Sequence, residues 1–335
     1  MPRRSWAWVY CLIFQNSDKT PGMKILMTGG GSGGHFYPIL AVGHQLKKLA
    51  QSEGIVTLDL LYFSDQPFDA DLLKQMGIRY RQIPAGKMRR YFSLRNITDV
   101  AATVAGTFAA LWSVFMEVPD VVFAKGGYAS FPVLFAARIL RIPIVIHESD
   151  TVPGRVNRWA GKFARRVAIA FPEAAAFFPR EKTALLGNPI RAEVLGGSTE
   201  EAGVIYGVEE VPTVMVLGGS QGSVRLNDAM LTIAPELVKT ARIIHQCGDK
   251  NYDAVKKQST TILEKNEFRE RYRVFGMLDA GGLRSAARIA TVIVSRAGAG
   301  AIFEAAAWGK ASILIPLSES AQDHQRKTAY AYTRT

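Results

Sequence analysis

Cysteine is nearly absent from this chain of 335 residues. Only Cys11 and Cys247 occur, which excludes a disulfide framework and fits a reducing cytosol. The histidines and cysteines never fall at zinc-ligand spacing, so no metal site is expected. No segment reads as a transmembrane helix, which needs about 20 apolar residues. The uncharged run Val100 to Met116 carries Gly, Ala and Thr and reads as a buried helix. Charged residues make up 21% and hydrophobic ones 48%, which excludes a disordered tail, a collagen-like fibre and a coiled coil.

What the chain does have is positive charge, 41 Lys+Arg against 29 Asp+Glu. Residues 1–190 hold 23 and 13 of these, and residues 191–335 hold 18 and 16, so the excess is +10 in the first half and +2 in the second. That asymmetry points to an anionic partner for the first half, a membrane surface or a phosphorylated substrate, or else to simple solubility. No basic helix with base-reading side chains stands out, so nucleic acid is not expected.

The length suggests two domains. Residues 1–22 read as an extension outside the fold, since Met23 directly precedes the strand Lys24–Thr28; a weak membrane tether is the other reading of Arg3-Arg4-Ser5 and the apolar Trp6–Phe14. From residue 23 short apolar runs alternate with helical stretches. Strands are expected at 25–27, 56–63, 121–123 and 144–146, with helices at 37–50, 71–76 and 131–140. This pattern implies a parallel sheet covered on both faces. The theme restarts at Thr213–Leu217, with further strands at 243–246, 273–275, 291–294 and 312–315. Two strand–glycine-loop–helix openings about 190 residues apart imply two Rossmann-like domains, residues 23–187 and 188–335.

The first loop, Gly29-Gly30-Gly31-Ser32-Gly33-Gly34-His35, lets a phosphate or sugar approach the backbone at a helix N-terminus. His35, expected where that helix begins, is kept neutral by the helix dipole and is a candidate general base. The alternatives are a histidine that caps the loop, or a dinucleotide site with Asp65 as the ribose acid. The second loop, Gly218-Gly219-Ser220-Gln221-Gly222, suits a diphosphate without a metal. A third motif runs from Ser295 to Glu304; its small residues allow close approach, and Glu304, about one turn into a helix, can accept both ribose hydroxyls. Asp323-His324-Gln325 offers Gln325 to sugar hydroxyls. Gly126-Gly127-Tyr128, His147-Glu148-Ser149-Asp150 and Gly187-Asn188-Pro189-Ile190-Arg191 follow strands, with Arg191 able to meet a phosphate. Asp69-Ala70-Asp71 imitates a metal-binding D-x-D but reads as a helix cap. Lys87–Arg95 mixes cations with aromatics and suits an anionic bilayer or a solvated loop.

Taken in order from Met23 to the end, these motifs resemble the MurG family of glycosyltransferases, family 28 of the GT-B class. The resemblance implies an α/β GT-B fold of two Rossmann-like parallel-sheet domains facing a cleft. It implies inverting, metal-independent transfer of N-acetylglucosamine from UDP-GlcNAc to lipid I, giving lipid II for peptidoglycan, at the cytoplasmic face of the membrane. No cofactor is implied. By resemblance His35 deprotonates the acceptor hydroxyl; Ser32, Gly33, Gly34, Tyr128, Glu148 and Asp150 serve the acceptor side; Arg191, Ser220 and Gln221 serve the diphosphate; Leu278 meets the uracil; Ala299, Gly300, Ala301, Ile302, Phe303 and Glu304 line the nucleotide; and Gln325 meets the sugar. Departures are Ser32 and Ala301 where Thr is frequent, Thr328 where Asn is frequent, and Ser149-Asp150 where Gln-Asn is. An ionised Asp150 only accepts hydrogen bonds. The sequence stops at Thr335, short of further family helices, and lower stability or activity is expected from that. A GT-B transferase with a soluble acceptor, a nicotinamide dehydrogenase and an inactive nucleotide-sugar binder are the competing readings.

Overall fold

The computed structural model describes residues 22–86, 95–207, 210–219, 222–316 and 324–334. The chain divides into two compact units between Pro189 and Ile190.

The first unit holds seven parallel strands, β1 (Gly22–Thr28), β2 (Thr57–Ser64), β3 (Arg79–Gln82), β4 (Val121–Ala124), β5 (Ile144–Glu148), β6 (Arg166–Ile169) and β7 (Thr183–Leu185), in the order β3-β2-β1-β4-β5-β6-β7. Its helices are α1 (Gly33–Ser52), α2 (Ala70–Gln75), α3 (Arg95–Glu117), α4 (Phe131–Ile139) and α5 (Arg155–Ala160). Successive strand residues alternate between faces. Ile25 and Met27 therefore join Phe36, Ile39 and Leu46 of α1 in one core. Leu26, between them, joins Ala110 and Val114 of α3 and Val133 and Leu134 of α4 in the other.

The second unit repeats the scheme. Its parallel strands are β8 (Thr213–Leu217), β9 (Arg242–Gln246), β10 (Tyr272–Phe275), β11 (Val292–Arg296) and β12 (Ala311–Ile315), in the order β10-β9-β8-β11-β12. Its helices are α6 (Thr199–Tyr206), α7 (Val224–Leu237), α8 (Tyr252–Ile262), α9 (Ala280–Ile289), α10 (Ala299–Ala307) and α11 (His324–Thr333). Val214 and Val216 pack on Leu226 and Met230 of α7, while Met215 and Leu217 pack on Leu283 and Ala286 of α9. In both sheets the order reverses beside the first strand, at β1/β4 and at β8/β11. Open parallel sheets bind ligands at that point, outside the strands' carboxyl ends. The two glycine loops leave β1 and β8 there.

Glu304 is the sixth residue of α10, about one turn in, as expected. Two expectations need correction. α1 begins at Gly33 rather than Tyr37, which puts His35 inside its first turn. The helix over 100–116 is not buried: Val104, Phe108, Trp112 and Met116 are exposed, Trp112 at 65%. Its buried face is Gly106, Ala110, Ser113 and Val114. A Cβ on Gly106 would collide with the Pro84 carbonyl, so small residues let the helix lie close to the body while the large ones face outward. Thr98–Glu117 is long and apolar enough to cross a membrane by length and composition. Asp69 does cap α2, its carboxylate accepting from the Leu72 N–H at 2.9 Å.

Candidate functional site

At the β1/β4 switch point the first glycine loop is tied down from three sides. The Gly30 N–H donates to the Gly126 carbonyl at 3.0 Å. The Ser64 hydroxyl donates to the Gly29 carbonyl at 2.8 Å, and the Lys125 N–H to the Thr28 carbonyl at 2.9 Å. Gly127, at φ +86°, lies so close to Gly30 that an added Cβ would stand 3.1 Å from its backbone. Ser32 takes the N-cap position of α1, but its hydroxyl does not cap. It contacts His35 Nδ1 instead, at 2.9 Å. This leaves Nε2 as the ring nitrogen for chemistry. Burial, with the nearby Lys125 charge adding to it, lowers the His35 pKa to about 4. The imidazole is thus neutral at physiological pH, and desolvation is the main cause. Pro38 has no N–H, so the Gly34 carbonyl, four residues earlier, lacks its helical donor. Gly33 is buried at the start of α1 and Gly34 is exposed beside it.

The loop after β5 is organised by Glu148, which is 4% exposed. Its oxygens accept from the Asp150 N–H at 2.9 Å, the Gly154 N–H at 3.1 Å and the Asn157 side-chain amide at 2.9 Å. Glu148 therefore shapes the loop rather than presenting a bare carboxylate. Asp150 is half-buried next to it. The Tyr128 hydroxyl donates to Asp65, so the acid considered for a ribose is engaged by a tyrosine.

In the second unit, Gly218 and Gly222 frame the loop after β8. The Gly218 N–H donates to the Gln246 carbonyl and the Gly222 N–H to the Gly219 carbonyl. Gly219 and Gly222 have φ of +82° and +74°, the left-handed region that favours glycine. Ser220 and Gln221 lie outside the described residues, as do residues 1–21, Lys87–Leu94 and Asp323. Ser223 caps α7, whose N-terminus faces the loop's exit. Arg296, at the end of β11, donates to the Gly222 carbonyl at 3.3 Å. Sequence reasoning gave this cation no role, although it was the only charge before Glu304 in its motif. Glu304 is half-buried, and desolvation raises its pKa to about 7 against an opposing attraction from the half-buried Arg191. These two motif residues, far apart in sequence, are thus electrostatic neighbours.

Around them, Gly300, Ala301 and Phe303 are partly exposed on the first two turns of α10, while Ala299 and Ile302 are buried. Among the described residues, no other heavy atom lies within 4 Å of a Cβ built on Gly298 or Gly300 once their chain neighbours and the helix backbone are set aside, so the start of α10 has room beside it. Leu278 is 8% exposed in the core with Tyr206 and Ile244, and its N–H donates to the Gln246 side chain at 3.1 Å. A uracil contact there would have to use its carbonyl. Gln325 is half-buried near the start of α11. Among the described residues no three His, Cys, Asp or Glu side chains cluster as metal ligands. A cavity of about 650 Å³ lined by Arg155, Arg158, Trp159, Lys162 and Phe177 holds none of these candidates.

The comparisons agree with the fold. The glycosyltransferase family 28 N-terminal domain matches residues 25–169, and the family 28 C-terminal domain matches residues 213–333. A Bacillus cereus protein named UDP-N-acetylglucosamine--N-acetylmuramyl-(pentapeptide) pyrophosphoryl-undecaprenol N-acetylglucosamine transferase 2 is 37% identical over 300 residues, 89% of this chain and 80% of its own. A Clostridium botulinum transferase of the same description is 36% identical over 298 residues, 88% of this chain and 79% of its own. The crystal structure of Acinetobacter baumannii MurG superposes with a TM-score of 0.63 at 26% identity, covering 92% of this chain and 82% of that one. A Neisseria meningitidis UDP-GlcNAc 2-epimerase shares the fold at 14% identity and a TM-score of 0.59, covering 90% of this chain and 85% of its own. With both of its domain types matched in order, on two parallel sheets of the GT-B class, the chain belongs to glycosyltransferase family 28.

Proposed function

We propose that this enzyme transfers N-acetylglucosamine from UDP-GlcNAc to lipid I, with inversion at the sugar carbon and without a metal. The observation that carries the reading is a neutral imidazole, His35, held by Ser32 at the end of a glycine loop. The relatives' names supply the substrates. His35 Nε2 takes the proton of the acceptor hydroxyl as that oxygen bonds to the anomeric carbon. The bond to the diphosphate oxygen breaks, and UDP leaves with the electron pair. The N-terminus of α7 and Arg296 favour the departing negative charge. Glu304, with Arg191 beside it, is suited to the ribose hydroxyls once ionised. In this reading residues 23–187 serve the acceptor and membrane, and residues 188–335 the donor.

The acceptor is a lipid, and the outward stripe of α3 supports docking on the cytoplasmic face of a bilayer. Val104, Phe108, Trp112 and Met116 repeat every four residues and so share one helix face. A soluble-acceptor enzyme gives that stripe no purpose.

The test is UDP release from UDP-GlcNAc by the full chain, with and without a short-chain lipid I analogue. Release should depend on the acceptor, and His35→Ala should lower turnover about 10²–10⁴-fold while donor affinity stays nearly constant. Turnover unchanged by the substitution would remove His35 from the role of base. Release indifferent to the acceptor would remove lipid I as the substrate.

A further inference from the structure

Lys125 is the most deeply buried charged side chain of the first unit, 1% exposed, and the proposed chemistry does not use it. It follows β4 directly, next to the two glycines that hold the first loop. Its Nζ lies 2.7 Å from His147 Nδ1 and 3.0 Å from Asn188 Oδ1. His147 Nε2 lies 2.8 Å from the Gly187 carbonyl. A carbonyl only accepts, so Nε2 carries the hydrogen and Nδ1 receives one from the lysine. The ammonium thus joins the ends of β4 and β5 to the 187–188 segment. It also underlies the catalytic loop: a Cβ on Gly29 would stand 3.3 Å from the Lys125 Cβ and 3.5 Å from the His35 Cβ. Both side chains therefore pack around Gly29, with Ile39 Cδ1 nearer still at 2.8 Å from that Cβ position.

We propose that Lys125 is a positioning residue for the transfer reaction: it braces the floor beneath the Gly29–Gly34 loop and the adjoining Gly126–Gly127 turn and holds a positive charge beside His35. This rests on the reading of His35 as the base. Packing alone does not call for a lysine here, since a methionine fills similar space without burying a charge. The groups around it oppose one another. Glu148 and Asp150, from the β5 loop, favour the charged lysine, while burial brings its pKa down to about 7. His147, from β5 itself, is held neutral by burial and by the lysine. On the His35 side stand Ser32 from its own loop, and the Tyr128–Asp65 pair, which joins the loops after β4 and β2. A protonated Lys125 opposes formation of an imidazolium at His35, so the base stays unprotonated at lower pH than burial alone would ensure.

The experiment labels histidine with ¹³C at Cε1 in the full chain and follows the His35 resonance against pH, assigned through His35→Gln. In Lys125→Met the His35 midpoint should rise, and the acid limb of the kcat/KM profile should rise with it. The midpoint should stay below the ordinary 6.5, because burial remains, so kcat should fall several-fold more at pH 5 than at pH 8 while the affinity for UDP-GlcNAc stays within about twofold. Lys125→Arg keeps the charge but cannot repeat both short contacts, so it should leave the His35 midpoint low and still reduce kcat. This variant keeps the test open if the methionine variant does not fold. An unmoved His35 midpoint in Lys125→Met, or a loss of kcat equal at all pH values that follows only the folded fraction, overturns the proposal. The resonance is read without substrate, so a failure of His35 as base would appear instead as normal turnover in His35→Ala.

Discussion

Glu304 gives the sharpest quantitative expectation, because its effect on stability and its effect on binding have opposite signs. Desolvation raises its pKa from 4.5 to about 7, so the folded protein holds this proton more tightly than the unfolded chain does. Such a group costs nothing below pH 4.5. Its cost grows as pH rises from 4.5 to about 7 and is full above that. At about 1.4 kcal/mol per unit the cost is about 3.5 kcal/mol, and water at the partly exposed carboxylate reduces it to about 1–3 kcal/mol. Glu304→Gln removes the ionisation while keeping the shape. It should raise the melting temperature by several degrees at pH 8 and leave it unchanged at pH 4.5, at about 2–4 °C per kcal/mol for a unit of this size. The same substitution removes a charged acceptor from the proposed ribose contact, so UDP-GlcNAc should bind roughly 10–100-fold more weakly at pH 8. Differential scanning calorimetry at the two pH values and titration calorimetry with UDP-GlcNAc read both effects. A variant less stable at pH 8 than at pH 4.5, relative to the parent, would mean that Arg191 holds the carboxylate ionised and that desolvation does not dominate.

Two further substitutions probe the loop after β8 and the face of α3. Gly222→Ala places a methyl group against the Asn251 amide and the Cys247 carbonyl at a left-handed φ of +74°, so it should destabilise the second unit by about 2–5 kcal/mol, read as a lower urea midpoint; an unchanged midpoint would show that the loop can shift freely. Trp112→Gln and Phe108→Gln, both on exposed positions, should leave stability within about 0.5 kcal/mol of the parent but reduce binding to anionic vesicles roughly tenfold or more each, since an aromatic ring no longer enters the bilayer and no charge is added. Undiminished binding would show that α3 is not the docking face.

The central strands were legible because each is a short apolar run, with β1 and β8 leading directly into glycine, and the sheets bury both of their faces. Thr213–Leu217 matches to the residue. The edge strand Arg79–Gln82 was not legible, because an exposed edge carries polar residues and has no apolar run to mark it. The helix over 100–116 misled because the lack of charge suggested burial, whereas burial there follows side-chain size: Gly106 and Ala110 face inward, Phe108 and Trp112 outward. The motifs located the switch points, since glycine loops must follow the strands that flank them. They did not separate residues that face a ligand from those that hold the loop. Glu148 and Leu278 belong to motifs yet turn inward. Lys125 and Arg296 drew no role because a single cation in a motif of small residues reads as solvated until the fold packs it.

Each hydrophobic cluster lies wholly within one unit, and each unit carries its own sheet and its own glycine loop at a strand-order reversal. Each unit's core is therefore filled from its own residues, so a substitution in the core of residues 190–335 is absorbed first by the packing of that unit. Under the proposed division of donor and acceptor, the two specificities draw on different cores, and divergence within such a family can proceed one half at a time.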